Sequence, residues 1–286
     1  MKVKHPKYCS PRVRPTDVWS LLVSVPGRTH EGVPEDAKRP QAGGYFPHQG
    51  ISFYPIISHS NTIQKDNLIH MKNYSHYLFD ADGTLIDTTE LIYQCFLYTC
   101  KKFGNKEISR TEVIKNIGLT LRSQMEVYFG PLAEDRFSEL AGEHMKYQLS
   151  IYPNYLKLFP TVLEGLALLR ERGRHCGIVT SRRRQTLELY LQKTGIFDFF
   201  EVFVTPENTK KHKPEPEPVL EALALFNVVD KSAVLMVGDS EFDIESGSRA
   251  GVDTAFVNWS HNDSMLFGHK PMHVIDDFMQ LCSPAA

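Results

Sequence analysis

Five short apolar segments constrain this chain more than any other feature: HYLF (76–79), CGIV (176–179), VFV (202–204), AVLMV (233–237) and TAFV (254–257). They are too short for buried helices, and they lack the apolar–polar alternation of a strand wetted on one face. Segments of this kind are strands covered on both sides. Stretches with helical spacing lie between them, and strands alternating with helices build a parallel sheet. The expected fold class is therefore α/β, a Rossmann-like parallel sheet core flanked by helices.

The helices have legible ends. Thr161 with Glu164 predicts a capping box ahead of VLEGLALLRERG, and Gly173 predicts its stop. A second amphipathic helix carries Glu188, Leu189, Leu191 and Gln192 and ends at Gly195. A third carries Leu220, Leu223, Ala224 and Phe226 and is opened by Pro214, Pro216 and Pro218. One stretch breaks the rhythm. Residues 88–157 hold no buried strand, only helical patterning: Thr88 or Thr89 starts a helix through Leu91, Ile92, Cys95 and Phe96 to Gly104, and Ser109 with Glu112 forms another capping box. An all-helical cap domain inserted after the first strand is expected there, with the core formed by 71–87 and 158–286.

Residues 1–70 carry eight of the seventeen prolines and no sustained periodicity. Prolines this dense interrupt helices and remove ladder donors from strands, so a disordered N-terminal extension is expected. A signal peptide built on WSLLVSV (19–25) is opposed by Asp17 just before it, and a transit helix by the prolines. Folding information starts at Met71, which makes the preceding segment an upstream extension or a product of start-site choice.

Composition narrows the function classes. Lys+Arg number 32 against 34 Asp+Glu, a net charge of -2, so no basic face for a nucleic acid is implied. The longest apolar runs fall far short of a membrane span. Five cysteines, an odd count without CxxC or zinc spacing, speak against a disulfide framework and for a reducing, cytoplasmic location. Nothing identifies a protein partner.

In open α/β sheets, ligands bind beyond the carboxyl ends of the strands. Four such ends here carry polar clusters: Asp80-Ala81-Asp82-Gly83-Thr84, Thr180-Ser181-Arg182, Lys211-His212-Lys213-Pro214 and Gly238-Asp239-Ser240-Glu241-Phe242-Asp243. If the strands are neighbours, several carboxylates, a hydroxyl and an ammonium converge. Crowded carboxylates repel unless one is protonated or a cation intervenes. Magnesium, which takes one or two carboxylates and keeps several waters, suits phosphate chemistry at such a place. There a carboxylate can attack phosphorus while a second carboxyl handles the proton.

LFDADGTLIDT, IVTSR, KHKPEPEP and VGDSEFD, in that order, resemble the four motifs of the haloacid dehalogenase superfamily of phosphohydrolases. The resemblance runs from residue 74 to about 282, and its spacing resembles the phosphoglycolate phosphatase-like branch with a helical cap after the first motif. It implies Asp80 as nucleophile and Asp82 as general acid/base. It implies a magnesium ion held by Asp80, the Asp82 carbonyl and Asp239, with Asp243 supporting from behind. Thr180 and Ser181 would bind phosphate oxygens, Lys213 would offset charge, and Gly118 and Leu119 of NIGLTLRS would face the site from the cap. Ala81 departs from the bulkier apolar residue common there.

Arg182, Arg183 and Arg184 either receive a second anionic group on the substrate, Arg182 first, or form a solvated helix face. The implied activity is hydrolysis of a small phosphorylated metabolite, phosphoglycolate-like. Inorganic pyrophosphatase and sugar phosphomutase are the alternatives within the superfamily. Dehalogenation needs no acid at Asp82, and a phosphonatase would need a Schiff-base lysine among Lys101, Lys102, Lys106, Lys115, Lys146 and Lys157. A non-catalytic binding protein on the same fold would be expected to lack Asp80, Asp82, Lys213 or Asp239, and all four are present.

Overall fold

The computed structural model describes residues 71–104 and 106–282; the expected N-terminal extension lies outside the described residues. Strand β1 (His76–Phe79) is followed by a short β2 (Ile86–Asp87) and then by helices α1 (Thr89–Gly104), α2 (Arg110–Ile114), α3 (Leu121–Phe129) and α4 (Glu134–Ile151). The chain returns through β3 (Lys157–Leu158), which pairs antiparallel with β2. This two-stranded connection was not visible in the sequence, because two residues carry no periodicity.

Thereafter helices and strands alternate: α5 (Val162–Glu171), β4 (His175–Val179), α6 (Arg184–Lys193), β5 (Val202–Val204), α7 (Glu217–Phe226), β6 (Val234–Gly238), α8 (Glu241–Ala250), β7 (Asp253–Val257) and β8 (His273–Ile275). The six main strands lie parallel in the order β5-β4-β1-β6-β7-β8. All five expected strands are present. The sixth, β8, is an edge strand with an exposed Val274, too short and too mixed to stand out as an apolar run.

Two apolar layers cover the sheet. Tyr77, Phe79, Ile178, Leu235 and Val237 pack with Leu166, Leu169 and Phe278 on one face; Leu78, Val179, Val204 and Met236 pack with Val219, Ala222 and Leu223 on the other. Alternate residues of β1 thus serve opposite layers, which is why the strands read as continuous apolar runs. Within the helical insert, Phe96, Val113, Met125 and Leu140 form a separate cluster, with Tyr93 and Phe103 against it.

The capping box at Ser109 and Glu112 is formed in both directions. The one expected at Thr161 is not. Thr161 has φ 62°, its side chain caps nothing, and its hydroxyl donates to Asp277 Oδ1 instead. A long-range partner has displaced the local one. Helix α6 begins at Arg184 with Arg183 as its N-cap, which leaves Thr180 outside the helix.

Helix α5 meets Phe278 at Gly165, where a Cβ would lie 2.2 Å from the Phe278 ring. Gly165→Ala should destabilise the protein by about 1–3 kcal/mol through overpacking, despite alanine's better helix propensity. Denaturant unfolding measures it, and an unchanged midpoint would refute this reading of the contact.

Candidate active site

From β1 the chain moves to β4 and β5 on one side, then crosses to β6 and β7 on the other. The carboxyl end of β1 is thus the point where strand order reverses, the crevice in which α/β sheets bind ligands. Asp80 follows β1, Thr180 follows β4 and Asp239 follows β6, so the three stand at neighbouring strand ends. Backbone bonds extend the sheet through two of them: Asp80 N donates to Val237 O and Thr180 N to Val204 O.

Lys213, from the loop after β5, reaches into this crevice. Its buried ammonium donates to Asp80 Oδ1 at 2.8 Å, Asp243 Oδ1 at 2.5 Å and Val179 O at 3.1 Å, which uses all three of its N–H bonds. Asp243 is held on its other side, where Oδ2 accepts from the Ser240 amide and hydroxyl. Burial opposes the charge on Lys213, but Asp243 and Asp80 outweigh it and raise its pKa. Burial also pushes the Asp80 carboxyl up to about 7, against the pull of Lys213 and with the push of Asp243 and Asp82. Asp239 is raised well above the carboxylate range, first by burial and then by Asp243 and Asp80.

The Asp82 side chain turns another way. Both oxygens are gripped by Arg182, Nε to Oδ2 at 2.7 Å and Nη2 to Oδ1 at 2.6 Å, and Oδ1 also accepts from the Thr88 hydroxyl. Arg182 is therefore no solvated helix residue. It is buried, and its guanidinium stacks 4.5 Å from the Tyr190 ring. A largely buried carboxylate recruits the strongest donor in reach, and Arg182 is the one arginine of its run that faces inward. Arg183 and Arg184 instead pair near the surface with Glu207 and Glu188.

Asp80, Asp82, Thr180, Ser181 and Arg182 line one cavity of about 60 Å³ together with Gly118 and Leu119 of the helical insert. That volume accommodates roughly four waters, the scale of a small substrate rather than a polymer. Ser181 Oγ donates to Gly118 O at 2.6 Å, tying the insert's loop to the loop after β4.

Several lining residues escaped the sequence reading. Gln124 comes from α3, and His144 and Gln148 from α4, one turn apart. Polar residues at that spacing are ordinary on a helix, so no signal marked them. Asn262 donates to the Asp239 carbonyl at 2.8 Å, and Trp259 Nε1 to the Thr84 carbonyl. These two follow β7, and the rule that polar residues after a strand face the crevice could have found them.

The family model described as haloacid dehalogenase-like hydrolase matches residues 77–257. This chain belongs to the haloacid dehalogenase-like hydrolases. PpaX proteins of Caldanaerobacter subterraneus and Bacillus cereus strain B4264, the latter named a pyrophosphatase, are 38% and 35% identical to it over 205 residues. Those residues are 71% of this chain and 91% and 93% of the relatives. The structure of a haloacid dehalogenase-like hydrolase from Bacteroides fragilis superposes with a TM-score of 0.68 at 28% identity, covering 73% of this chain and 99% of the other.

Haloacid dehalogenase-like hydrolases generally use magnesium, and the residues here fit one. Carboxylate oxygens of Asp80, Asp239 and Asp243 lie within 4.8 Å of one another. Lys213 serves Asp80 and Asp243 but not Asp239, whose buried side chain has, among the described residues, only Asn262 at 3.5 Å. Gly83, at φ 81°, lets the backbone close over Asp239, since a Cβ there would lie 2.3 Å from Asp239 Oδ2. An all-oxygen, negatively charged cradle of this kind suits a hard cation.

A pH dependence follows. Asp80 ionises near 7 in the fold, against 3.8 for an unperturbed aspartate. Between those values the folded protein holds a proton that the unfolded chain has lost, so metal-free stability falls as pH rises from about 4 to 7 and stays low above. A divalent cation removes the repulsion. Magnesium should therefore raise the melting temperature more at pH 8 than at pH 5, by thermal melts against a chelator control; equal shifts would overturn this account.

Proposed function

We propose that this hydrolase is a magnesium-dependent phosphatase that cleaves a small-metabolite phosphomonoester, phosphoglycolate-like, through an aspartyl-phosphate on Asp80. The observation that carries the reading is a buried Asp80 at the strand-order reversal, 2.8 Å from Lys213 and lining the same small cavity as Asp82. Retention of all four charged groups favours catalysis over a binding role.

Lys213 holds Oδ1 of Asp80, and no hydrogen-bond donor among the described residues takes Oδ2. A carboxylate oxygen of Asp80 attacks phosphorus as the bond to the leaving oxygen breaks. Asp82 gives its proton to that oxygen, and the alcohol departs. Water then attacks the phosphorus of the aspartyl-phosphate, Asp82 takes the proton back, and inorganic phosphate leaves with both carboxyl groups restored. Thr180 and Ser181 hold phosphoryl oxygens, and Lys213 offsets their charge. Asp80, the Asp82 carbonyl and Asp239 would hold the magnesium, with Asp243 steadying Lys213 and Ser240 behind them; the ion supplies positive charge to the phosphoryl oxygens.

The name borne by the Bacillus relative and the buried arginine in the cavity favour inorganic pyrophosphate as a second reading. A screen of phosphoglycolate, sugar phosphates, an aryl phosphate and pyrophosphate, with and without magnesium, tests both. Phosphate release only with the metal, fastest from phosphoglycolate, is expected. Fastest release from pyrophosphate supports the second reading, and metal-independent turnover or no release overturns both.

A further inference from the structure

We propose that His144 and Gln124 read a hydroxyl on the leaving portion of the substrate, so that the site prefers phosphomonoesters of short hydroxylated alcohols. The inference rests on the phosphatase reading above and names the part of the substrate that the helical insert recognises.

The insert's wall of the cavity carries no charged side chain. Its polar ones are Gln124 from α3 and His144 and Gln148 from α4, set among apolar residues such as Ile92, Phe96 and Ile117. The charged lining residues, Asp80, Asp82, Arg182 and Arg183, all lie outside the insert. Recognition by the insert is therefore a matter of hydrogen-bond direction.

For His144 that direction is set by its partner. The Thr99 hydroxyl has one proton and donates it to the Cys95 carbonyl at 2.8 Å. Toward His144 Nδ1, 3.0 Å away, Thr99 Oγ1 is then the acceptor, so Nδ1 carries the ring proton. Burial, and after it the charge of Arg182, hold the pKa of His144 down at about 3, which keeps the ring neutral near pH 7. Nε2 thus keeps a lone pair, and it has no hydrogen-bond partner among the described residues. Gln124 is fixed in the same sense. Its Nε2 donates to the Leu119 carbonyl at 2.8 Å, and its Oε1 is buried with no partner among the described residues.

Two acceptors therefore stand in this wall without a donor. A buried acceptor left unpaired is costly, and a ligand that brings the missing proton removes the cost. Ionised carboxylate and phosphoryl oxygens bring none, whereas a hydroxyl does. One hydroxyl serves His144, and a second, where present, serves Gln124. Arg182 is no rival reader, because its fork is spent on Asp82. Room for roughly four waters admits a short chain more readily than a sugar ring. A three-carbon hydroxylated relative of phosphoglycolate meets both demands.

The test measures kcat/KM, with magnesium, for two matched pairs: 3-phosphoglycerate against its deoxy analogue 3-(phosphooxy)propanoate, and glycerol 3-phosphate against propyl phosphate. In at least one pair the hydroxylated member is expected to lead by about 30-fold, and His144→Phe to cut that ratio by at least about 10-fold. His144→Gln, which can return an acceptor to the place of Nε2, should recover part of it. No preference in either pair overturns the proposal. Equal losses on both members in His144→Phe do the same, since a purely structural histidine would act that way. Metal-dependent release from none of the four esters overturns the phosphatase reading and this inference with it, whereas release without discrimination overturns this inference alone.

Should His144→Phe fail to fold, nitrogen NMR of histidine-labelled Asp80→Asn decides. The proton of His144 should sit on Nδ1, and the Nε2 resonance should move on adding glycerol 3-phosphate but not propyl phosphate. A proton on Nε2, or equal shifts with both esters, overturns the proposal.

Discussion

Asp80→Asn will lower turnover by about 10⁴-fold or more with every substrate, while the protein stays folded. An amide has the shape of the carboxylate and can still accept from Lys213, but it cannot form the bond to phosphorus. The substitution also removes one of three crowded buried carboxylates. The metal-free variant should therefore melt no lower than the wild type, and its gain from magnesium should shrink. Steady-state phosphate release and thermal melts read the two effects separately. Retention of a tenth or more of the activity would exclude Asp80 as the nucleophile, and a collapse in melting temperature would show that its charge is needed for the fold.

Lys213→Met will destabilise the protein by about 3–5 kcal/mol at neutral pH, besides abolishing activity. Lys213 is the shared partner of Asp80 and Asp243, and all three side chains are almost fully buried. Taking the cation away leaves uncompensated carboxylates with Asp239 beside them, and these can relieve the strain only by taking up protons. The penalty should accordingly fall as pH is lowered toward 5. Denaturant unfolding at the two pH values measures it. The double variant with Asp80→Asn should lose less than the sum of the single changes, because one unpaired charge is then gone. Additive losses, or a cost under about 1 kcal/mol, would mean that Lys213 is not the charge partner described above.

What was legible from the chain alone came from interactions that are local in sequence. Runs covered on both faces announce buried strands, so β1, β4, β5, β6 and β7 are visible without coordinates. Polar residues placed just after such runs announce the crevice, and Asp80, Thr180 and Asp239 stand out on that ground. The Ser109 capping box is written within four residues and forms as written. Thr161 shows the limit of such reading, since Asp277, more than a hundred residues away, claims its hydroxyl. The edge strand β8 and the two-residue pairing of β2 with β3 lacked any period to read.

The amino-acid order by itself determined which chemical groups stand at the strand ends, because strand periodicity and the βα rhythm set where each strand stops. Only the tertiary structure decided how those groups are paired: Lys213 between Asp80 and Asp243, Asn262 on Asp239, and Arg182 turned inward onto Asp82 while its two neighbours face water. Those pairings join residues 23 to 133 positions apart. They exist because crossovers and the packing of the helical insert bring distant loops to one crevice, where burial makes each charge choose its strongest partner within reach.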